Sequence, residues 1–215
     1  MIPEDLRGFL PADTVRTWES VGPLVPAPAY LAGGTAITVH LRHRISRDLD
    51  FFFDHDIDLD GLARALAEAG PFAVTMHTET TLSGVFSATR IQFLDARSHH
   101  AVDDDSTVGT LRVASMRDLV AMKLKVIEDR GELRDYFDLM AIEQAERGAA
   151  ETGLGDFLDR YRPKDSGSAL LHIVEALGYL DDVDEDDLVP RTKNEVASYW
   201  TRRQPAVLRA MGRIS

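Results

Sequence analysis

The chain contains no cysteine, which excludes disulfide bridges, thiolate zinc sites and a cysteine nucleophile. It also lacks any apolar stretch approaching the roughly 18 residues that a membrane span needs. Its N-terminus has neither the charged start nor the apolar run of a signal peptide. From these absences we expect a cytoplasmic protein that has no membrane partner.

Basic residues are scarce relative to acidic ones, with 24 Lys and Arg against 36 Asp and Glu and a net charge of −12. Because contacts to phosphates need Lys and Arg, this balance argues against a protein that coats nucleic acid in general. The C-terminal stretch 191–215 is an exception, since it holds six Lys and Arg residues and only one acid, Glu195. A local basic surface is therefore compatible with the acidic composition.

At 215 residues and 44% hydrophobic composition, the chain can bury one domain with an appendage, or two small lobes. Apolar periodicity predicts a helix over 59–69 and strands over 72–80, 83–89 and 90–97. From Ala114 the pattern becomes helical, with candidates over 116–129, 132–146, 153–161, 166–177 and 192–211. We predict an α+β core over residues 1–113, with an N-terminal segment packed on it, and a helical lobe over 114–215.

The stretch 30–53 carries the strongest local signal. An apolar strand leads into Gly33, Gly34 and Thr35, and a helix is predicted from there to about residue 44. The two glycines let the backbone turn tightly and bring its N–H groups close to an anion, and Thr35 suits the N-cap of the helix. A helix N-terminus carries partial positive charge, so this turn is predicted to bind phosphate.

Two acids follow the predicted helix. Asp48 and Asp50 are two residues apart on a predicted strand, so both carboxylates point to one face while Leu49 points to the other. Two like charges side by side repel each other unless a cation lies between them. Carboxylate oxygens, together with nucleotide phosphates and waters, are what Mg²⁺ requires, so the stretch predicts a site for a metal ion and a nucleoside triphosphate.

These residues resemble the Gly-Gly-(Ser/Thr)…Asp-x-Asp signature of the DNA polymerase β-like nucleotidyltransferase superfamily, with twelve residues between Thr35 and Asp48. More specifically, the stretch 43–52 resembles the AbiEii/AbiGii toxin family, which includes the MenT-type toxins of toxin–antitoxin pairs. The resemblance implies a nucleotidyltransferase-like fold, in which helices flank a mixed β-sheet. It also implies that the residues around the turn bind the nucleotide: Gly33, Gly34, Thr35, Arg44 and Ser46.

Basic residues near the turn permit two interpretations. His40, His43, Arg44 and Arg47 would form one stripe if the predicted helix extended that far. The stripe could receive a triphosphate or an RNA end, or it could be a solvated helix face. The His43 and Arg44 pair gains support because the family has a His-Arg pair at that spacing before the acids.

A second resemblance to the same family covers residues 118–139. Family members pair a lysine on a helix with an Arg-Asp-x-x-Asp-Leu segment, so Lys123 takes the position of the family's essential lysine. Asp135 and Asp138 take the positions of the acids in its last motif. A lysine can neutralise triphosphate charge, and an acid can orient that lysine or help to deprotonate an attacking hydroxyl. Alternatively, Arg134 and Asp138 form an ordinary salt bridge along the helix.

Two further features leave alternatives open. Asp95 could be the third acid that superfamily members often place on a neighbouring strand, where it would share the metal, or it could face water beside Arg97 at the end of a strand. The aromatic and basic residues of the last predicted helix, including Tyr199, Trp200 and Arg203, could contact RNA or dock into the core.

The resemblance implies a Mg²⁺-dependent toxin, with Mn²⁺ as a possible substitute, that transfers a nucleotide from a nucleoside triphosphate to RNA. The expected acceptor is the 3′ end of tRNA, and the expected partner is a cognate antitoxin. The expected catalytic residues are Asp48, Asp50, Lys123, Asp135 and Asp138, and the expected metal ligands are Asp48, Asp50 and Asp95. The alternatives are a module of this fold that binds nucleotide or a partner protein without catalysis, or an enzyme that modifies a protein.

Overall fold

The computed structural model describes residues 2–214, which divide into two compact units. The first contains the chain up to His99 together with Asp104–Ser115, and the second contains His100–Asp103 and the chain from Met116. The sequence places the boundary after residue 113, two residues before the main division. Within the described residues, no helix combines the length and the apolar character that a membrane crossing requires.

The first unit is built on a mixed β-sheet. The strands are β1 (Ala29–Ala32), β2 (Leu49–Phe53), β3 (Phe72–His77), β4 (Thr81–Phe86), β5 (Thr89–Asp95), β6 (Ser106–Val108) and β7 (Leu111–Val113). Their order in the sheet is β3-β4-β5-β2-β1-β7-β6, in which β1 pairs with β7 and β2 with β5 in parallel. The helices of this unit are α1 (Ala12–Val21), α2 (Gly33–Leu41) and α3 (Leu59–Ala69). The predicted fold, helices flanking a mixed sheet, is confirmed.

One face of this sheet forms the core of the unit. Leu49, Phe51 and Phe53 are buried along β2, and the rings of Phe51 and Phe93 stack with their centroids 4.9 Å apart. Such a pair adds about 0.5–1.5 kcal/mol beyond the apolar area that it buries. Helix α2 packs on β1 and β2, and α3 packs on β3 and β4. The residues between the buried ones, Asp50 and Phe52, lie on the other face and are half-buried.

Helix α2 is shorter than predicted. It begins at Gly33 and ends at Leu41, because Arg42 adopts a left-handed conformation with φ of 52° and its N–H bonds to the carbonyl of Thr38 at 2.9 Å. The expected helix to about residue 44 is therefore wrong, and the basic residues from His40 to Arg47 form no helical stripe. Asp48 lies immediately before β2 instead of within it.

The second unit is helical. Its helices are α4 (Met116–Arg130), α5 (Leu133–Gln144), α6 (Ala150–Tyr161), α7 (Ser166–Gly178) and α8 (Lys193–Ile214). Helix α4 packs against α5, α6 and α7, and α8 also packs against those three helices. Trp200 of α8 is fully buried and donates from its indole nitrogen to the carbonyl of Tyr136 at 3.0 Å. These contacts match the core-docking interpretation of the last helix.

Glu143 connects three helices of this unit. Its carboxylate accepts hydrogen bonds from Arg203 at 2.8 Å, from the hydroxyl of Tyr199 at 2.5 Å and from the backbone N–H of Ala150 at 2.8 Å. Burial alone would raise the pKa of the Glu143 carboxyl, but these three groups outweigh burial and lower it. Tyr199 and Arg203 of α8 therefore make their hydrogen bonds within the unit.

We predict that Glu143→Gln lowers the free energy of unfolding by about 2 kcal/mol at pH 7, because the hydrogen bonds to its carboxylate weaken and Arg203 keeps only Glu151 as a carboxylate partner. Urea denaturation of the variant and the wild type measures this difference. Glu175→Gln, at an exposed position on α7, is the matched control and should change stability by less than about 0.5 kcal/mol.

The difference in unfolding free energy between the wild type and Glu143→Gln should depend on pH. Because the pKa of Glu143 is lower in the folded protein than its ordinary value of 4.5, the carboxylate stabilises the fold fully above that pH. Its contribution is lost as the pH falls below 4.5 and through the folded-state pKa. The difference between wild type and Glu143→Gln should therefore shrink below pH 4.5, and a difference that stays constant there would contradict this account.

Candidate active site

The turn between β1 and α2 is shaped around Gly33. Its φ is +66°, a conformation that residues with a Cβ rarely adopt, and a Cβ at this position would lie 2.7 Å from Oδ2 of Asp50. Ala32, the last residue of β1, is the Cα partner of Asp50 in the antiparallel pair of β1 and β2. The register of the sheet therefore places the Asp50 carboxylate close to the start of α2.

The second glycine of the turn accommodates an arginine. A Cβ at Gly34 would collide with the guanidinium of Arg44 and would lie 3.5 Å from the hydroxyl of Ser46. Arg44 is only 5% exposed, and it donates to the carbonyl of Ile45 at 3.0 Å. A fixed positive charge thus lies beside the first turn of α2, whose N-terminus also attracts anions.

Thr35 and Ser46 connect α2 to the segment that leads into β2. Their hydroxyl oxygens are 2.7 Å apart, and the Thr35 hydroxyl donates to the carbonyl of Asp48 at 2.5 Å. The N-cap of α2 is Ala32, without a side-chain cap bond, so the expected capping role of Thr35 is wrong. Because Gly33 and Gly34 already lie in the helix, the Thr35 side chain points back to the chain before β2.

Asp48 and Asp50 lie on either side of Leu49, which is fully buried, while the two acids are half-buried. The alternation along β2 places the Asp50 carboxylate on the face opposite the core, and Asp48 is the residue just before the strand. Among residues 2–214, no group of three or more His, Cys, Asp or Glu side chains is placed to hold a metal ion. Mg²⁺ commonly takes one or two carboxylates and completes its shell with substrate phosphates and water. The pair therefore fits a divalent ion that arrives with a nucleotide.

The strand register does not place Asp95 beside Asp50. In the parallel pairing of β2 and β5, Asp95 is in register with Phe53, and Phe53 points to the buried face. The Asp95 carboxylate is bound by Arg97 at 2.7 Å, and that hydrogen bond lowers its pKa below the ordinary value of 3.8. Its observed role is an ion pair at the end of β5.

The β5 residue beside Asp50 is Gln92, which the sequence did not single out. It is the Cα partner of Asp50, and it is half-buried. The alternation around it identifies β5 from sequence, but the register with β2 depends on pairing between segments about forty residues apart. Local patterns carry no signal for that register.

A separate cluster lies in the second unit. The ammonium of Lys123 on α4 is 2.7 Å from a carboxylate oxygen of Asp135 and 2.7 Å from one of Asp138, both on α5. The three residues are 6%, 6% and 0% exposed, respectively. Asp135 also accepts the N–H of Glu132 at 2.9 Å as part of a capping box, which fixes its position at the start of α5.

The alternative pairing of Arg134 with Asp138 is not what the structure contains. Arg134 pairs with Glu132 at 2.7 Å and with Asp186 at 3.2 Å. Asp138 lies one helical turn from Asp135 and faces Lys123 with it. The three residues that the sequence associated through the family motif are thus in direct contact.

A curated relative is the uncharacterised protein aq_aa25 of Aquifex aeolicus (strain VF5). It is 27% identical over 114 residues, which make up 51% of this chain and 55% of the relative. The match therefore spans about half the length of that protein.

Solved structures share the fold at low sequence identity. A crystal structure from H. pylori, described as that of a candidate nucleotidyltransferase, superposes with a TM-score of 0.59 and 18% identity over 95% of this chain and 99% of that chain. This likeness shows a common fold. MenT4, a nucleotidyltransferase toxin from Mycobacterium tuberculosis H37Rv, gives a TM-score of 0.38 and 16% identity over 86% of this chain and 84% of that chain. That score is too low to support an argument.

The sequence profile described as the nucleotidyl transferase AbiEii toxin of type IV toxin–antitoxin systems matches residues 24–210. The match contains the turn at Gly33, the two acids Asp48 and Asp50, and helix α4, which carries Lys123. Because it covers most of the chain, this protein belongs to the AbiEii family of nucleotidyltransferase toxins.

Proposed function

We propose that this protein is a Mg²⁺-dependent nucleotidyltransferase that transfers a nucleotide from a nucleoside triphosphate to RNA, with the 3′ end of tRNA as the acceptor. The observation that carries the proposal is the close approach of the Asp50 carboxylate to Gly33, which leaves no room for a Cβ. It places an acid suited to a metal ion against the helix N-terminus that is suited to phosphate, and a triphosphate bound to Mg²⁺ needs both at one place.

The phosphate end of the nucleotide is assigned to the first turn of α2. The backbone N–H groups at Gly33 and Gly34 and the guanidinium of Arg44 supply the positive potential there. Ser46 is 5% exposed and bonded to Thr35, so we assign these two hydroxyls to shaping the turn. This arrangement favours a ligand of high negative charge, as a triphosphate is.

Asp48 and Asp50 would hold the divalent ion, which is Mg²⁺ or Mn²⁺ in its place. When bound, such an ion neutralises phosphate charge and favours the ionised form of an acceptor hydroxyl. In the reaction, the hydroxyl oxygen of the acceptor forms a bond to the α-phosphorus as the bond to the bridging oxygen breaks. Pyrophosphate leaves and the hydroxyl proton passes to solvent. Asp95 has no part in this proposal because Arg97 binds its carboxylate.

We also assign Lys123 a part in the reaction, with Asp135 and Asp138 as the groups that position its ammonium. Buried charges are costly, and a buried ion pair is frequently no more stable than apolar residues of similar size. A lysine and two acids buried together are therefore better explained by function than by stability. A purely structural connection between α4 and α5 is the competing explanation.

The acceptor and the toxin role rest on family membership, which supports transfer to tRNA and control by a cognate antitoxin. The net charge of −12 limits any RNA contact to a local surface. Two other functions are distinguishable outcomes of one assay. A nucleotide-binding module would transfer no label, and an enzyme that modifies proteins would label protein instead of RNA.

The first prediction for this function concerns the acids. Purified protein with Mg²⁺, total tRNA, a pure protein substrate and each labelled nucleoside triphosphate in turn should label RNA. Asp48→Asn and Asp50→Asn should each lower the rate by about a thousandfold, because a metal-binding carboxylate contributes several kcal/mol to the transition state. Asp95→Asn is the matched control on the same sheet and should keep at least about half of the rate. Equal losses in all three variants would contradict the assignment.

The second prediction concerns the turn. Gly33→Ala should lower the transfer rate by about a hundredfold, because the new Cβ both disfavours the left-handed backbone, by about 1–2 kcal/mol, and displaces the Asp50 carboxylate. Gly8→Ala is the control in the same unit, since a Cβ there would meet no atom within 4 Å. Initial rates and circular dichroism are measured for both variants. Full activity in Gly33→Ala would exclude the turn from the site.

The third prediction separates the two explanations of Lys123. Lys123→Met should lower transfer by about a hundredfold, and it should also destabilise the protein because Asp135 and Asp138 then lose their cation. Replacing both acids by Asn in the Lys123→Met background removes the buried charge and should restore stability without restoring transfer. Recovery of transfer in this triple variant would make the cluster purely structural. Urea denaturation and the labelling assay provide the two readouts.

A further inference from the structure

Gln92 shares a row of side chains with Asp50 on the half-buried face of the sheet. Ala32 pairs with Asp50, Asp50 with Gln92, and Gln92 with Ser83 across four adjacent strands. Neighbouring strands lie about 4.8 Å apart, and register partners point to the same face. Gln92 is therefore the nearest β5 side chain to Asp50 by register.

The buried face of the same strands fixes this orientation. Leu49 and Phe51 pair with Ile91 and Phe93, and all four are at most 1% exposed. The ring stack of Phe51 and Phe93 shows that these partners meet side by side. The residues between them, Asp50 and Gln92, consequently lie together on the opposite face, where both remain partly accessible.

Gln92 differs from an acid at this place in its charge and in its hydrogen-bond donors. Its amide has an oxygen that can bind a cation or accept a hydrogen bond, and an NH₂ group that can donate to phosphate, but it has no charge. The other acid of β5, Asp95, is in register with Phe53 and is bound by Arg97. Asp50 is therefore the acid of this row, Asp48 lies two residues before it in the chain, and β5 contributes no carboxylate to the row.

We propose that Gln92 is the third oxygen-bearing side chain of the metal and nucleotide site, and that its neutral amide makes binding of the divalent ion depend on the nucleotide. Two carboxylates and one amide oxygen supply only part of the octahedral shell of the ion, and triphosphate oxygens fill further positions when the nucleotide is bound. A carboxylate in place of the amide would attract the ion more strongly than a neutral oxygen does, and would do so without the nucleotide. The assignment rests on the proposed function of the same site.

The test is the affinity of the protein for Mn²⁺ in the absence of nucleotide, measured from the electron paramagnetic resonance signal of free Mn²⁺. Gln92→Glu changes the amide to a carboxylate of the same shape and should tighten the dissociation constant by at least about tenfold. Thr75→Glu, on the exposed strand β3, adds the same charge elsewhere on the sheet and should leave it unchanged. Wild-type protein should bind Mn²⁺ tightly only when a non-hydrolysable nucleoside triphosphate is added.

Gln92→Asp provides a second variant if Gln92→Glu does not fold, which circular dichroism establishes. Mn²⁺ binding by the Gln92 variants that is no tighter than binding by Thr75→Glu would overturn the inference. The labelling assay on wild-type protein separates this result from a failure of the proposed function. Active wild type with unchanged variants rejects Gln92 alone, whereas inactive wild type with tightened variants rejects transferase activity and supports the Gln92 assignment.

Discussion

The close approach of the Asp50 carboxylate to Gly33 is the constraint on which the first unit depends. Gly33 follows β1 in a left-handed conformation, and any side chain there would occupy the space of the carboxylate. The pairing of β1 with β2 therefore holds an acid against the N-terminus of α2. The hydroxyl of Thr35, bonded to the carbonyl of Asp48, also connects α2 to the residue before β2. Backbone packing, more than flexible side chains, positions the groups suited to phosphate and metal.

The second unit follows a related rule, since its buried charges occur in direct contact with opposite charges. Lys123 lies between Asp135 and Asp138, and the buried Arg160 pairs with Asp118. Asp118 also accepts backbone N–H groups from Val102 and Asp103, so it fastens the segment His100–Asp103 to this unit. Pairing of this kind avoids the large penalty of an isolated buried charge. The acidic composition is thus compatible with buried cations, because Lys123 and Arg160 each lie against a carboxylate.

Several local expectations failed for reasons that lie outside the local pattern. The pattern of the residues up to about 44 suits a helix, yet Arg42 takes a left-handed conformation and the helix ends at Leu41. Thr35 has the chemistry of an N-cap, but the two glycines are already helical and its hydroxyl meets the chain before β2. Asp95 has the right chemistry for a metal ligand and the wrong register. In each case the residue type showed which interactions the side chain can make, and the surrounding residues decided which of them it makes.

The sequence by itself determined the fold class, the family, most helix and strand positions, and the candidate acids at 48, 50, 135 and 138. These features depend on periodicity and on short motifs, which are local properties of the chain. Only the tertiary structure decided that Gln92, and not Asp95, lies beside Asp50, and that Lys123 is buried between two acids. The physical reason is that strand register and helix packing depend on contacts between residues far apart in the chain, where a shift of one residue reverses every side chain.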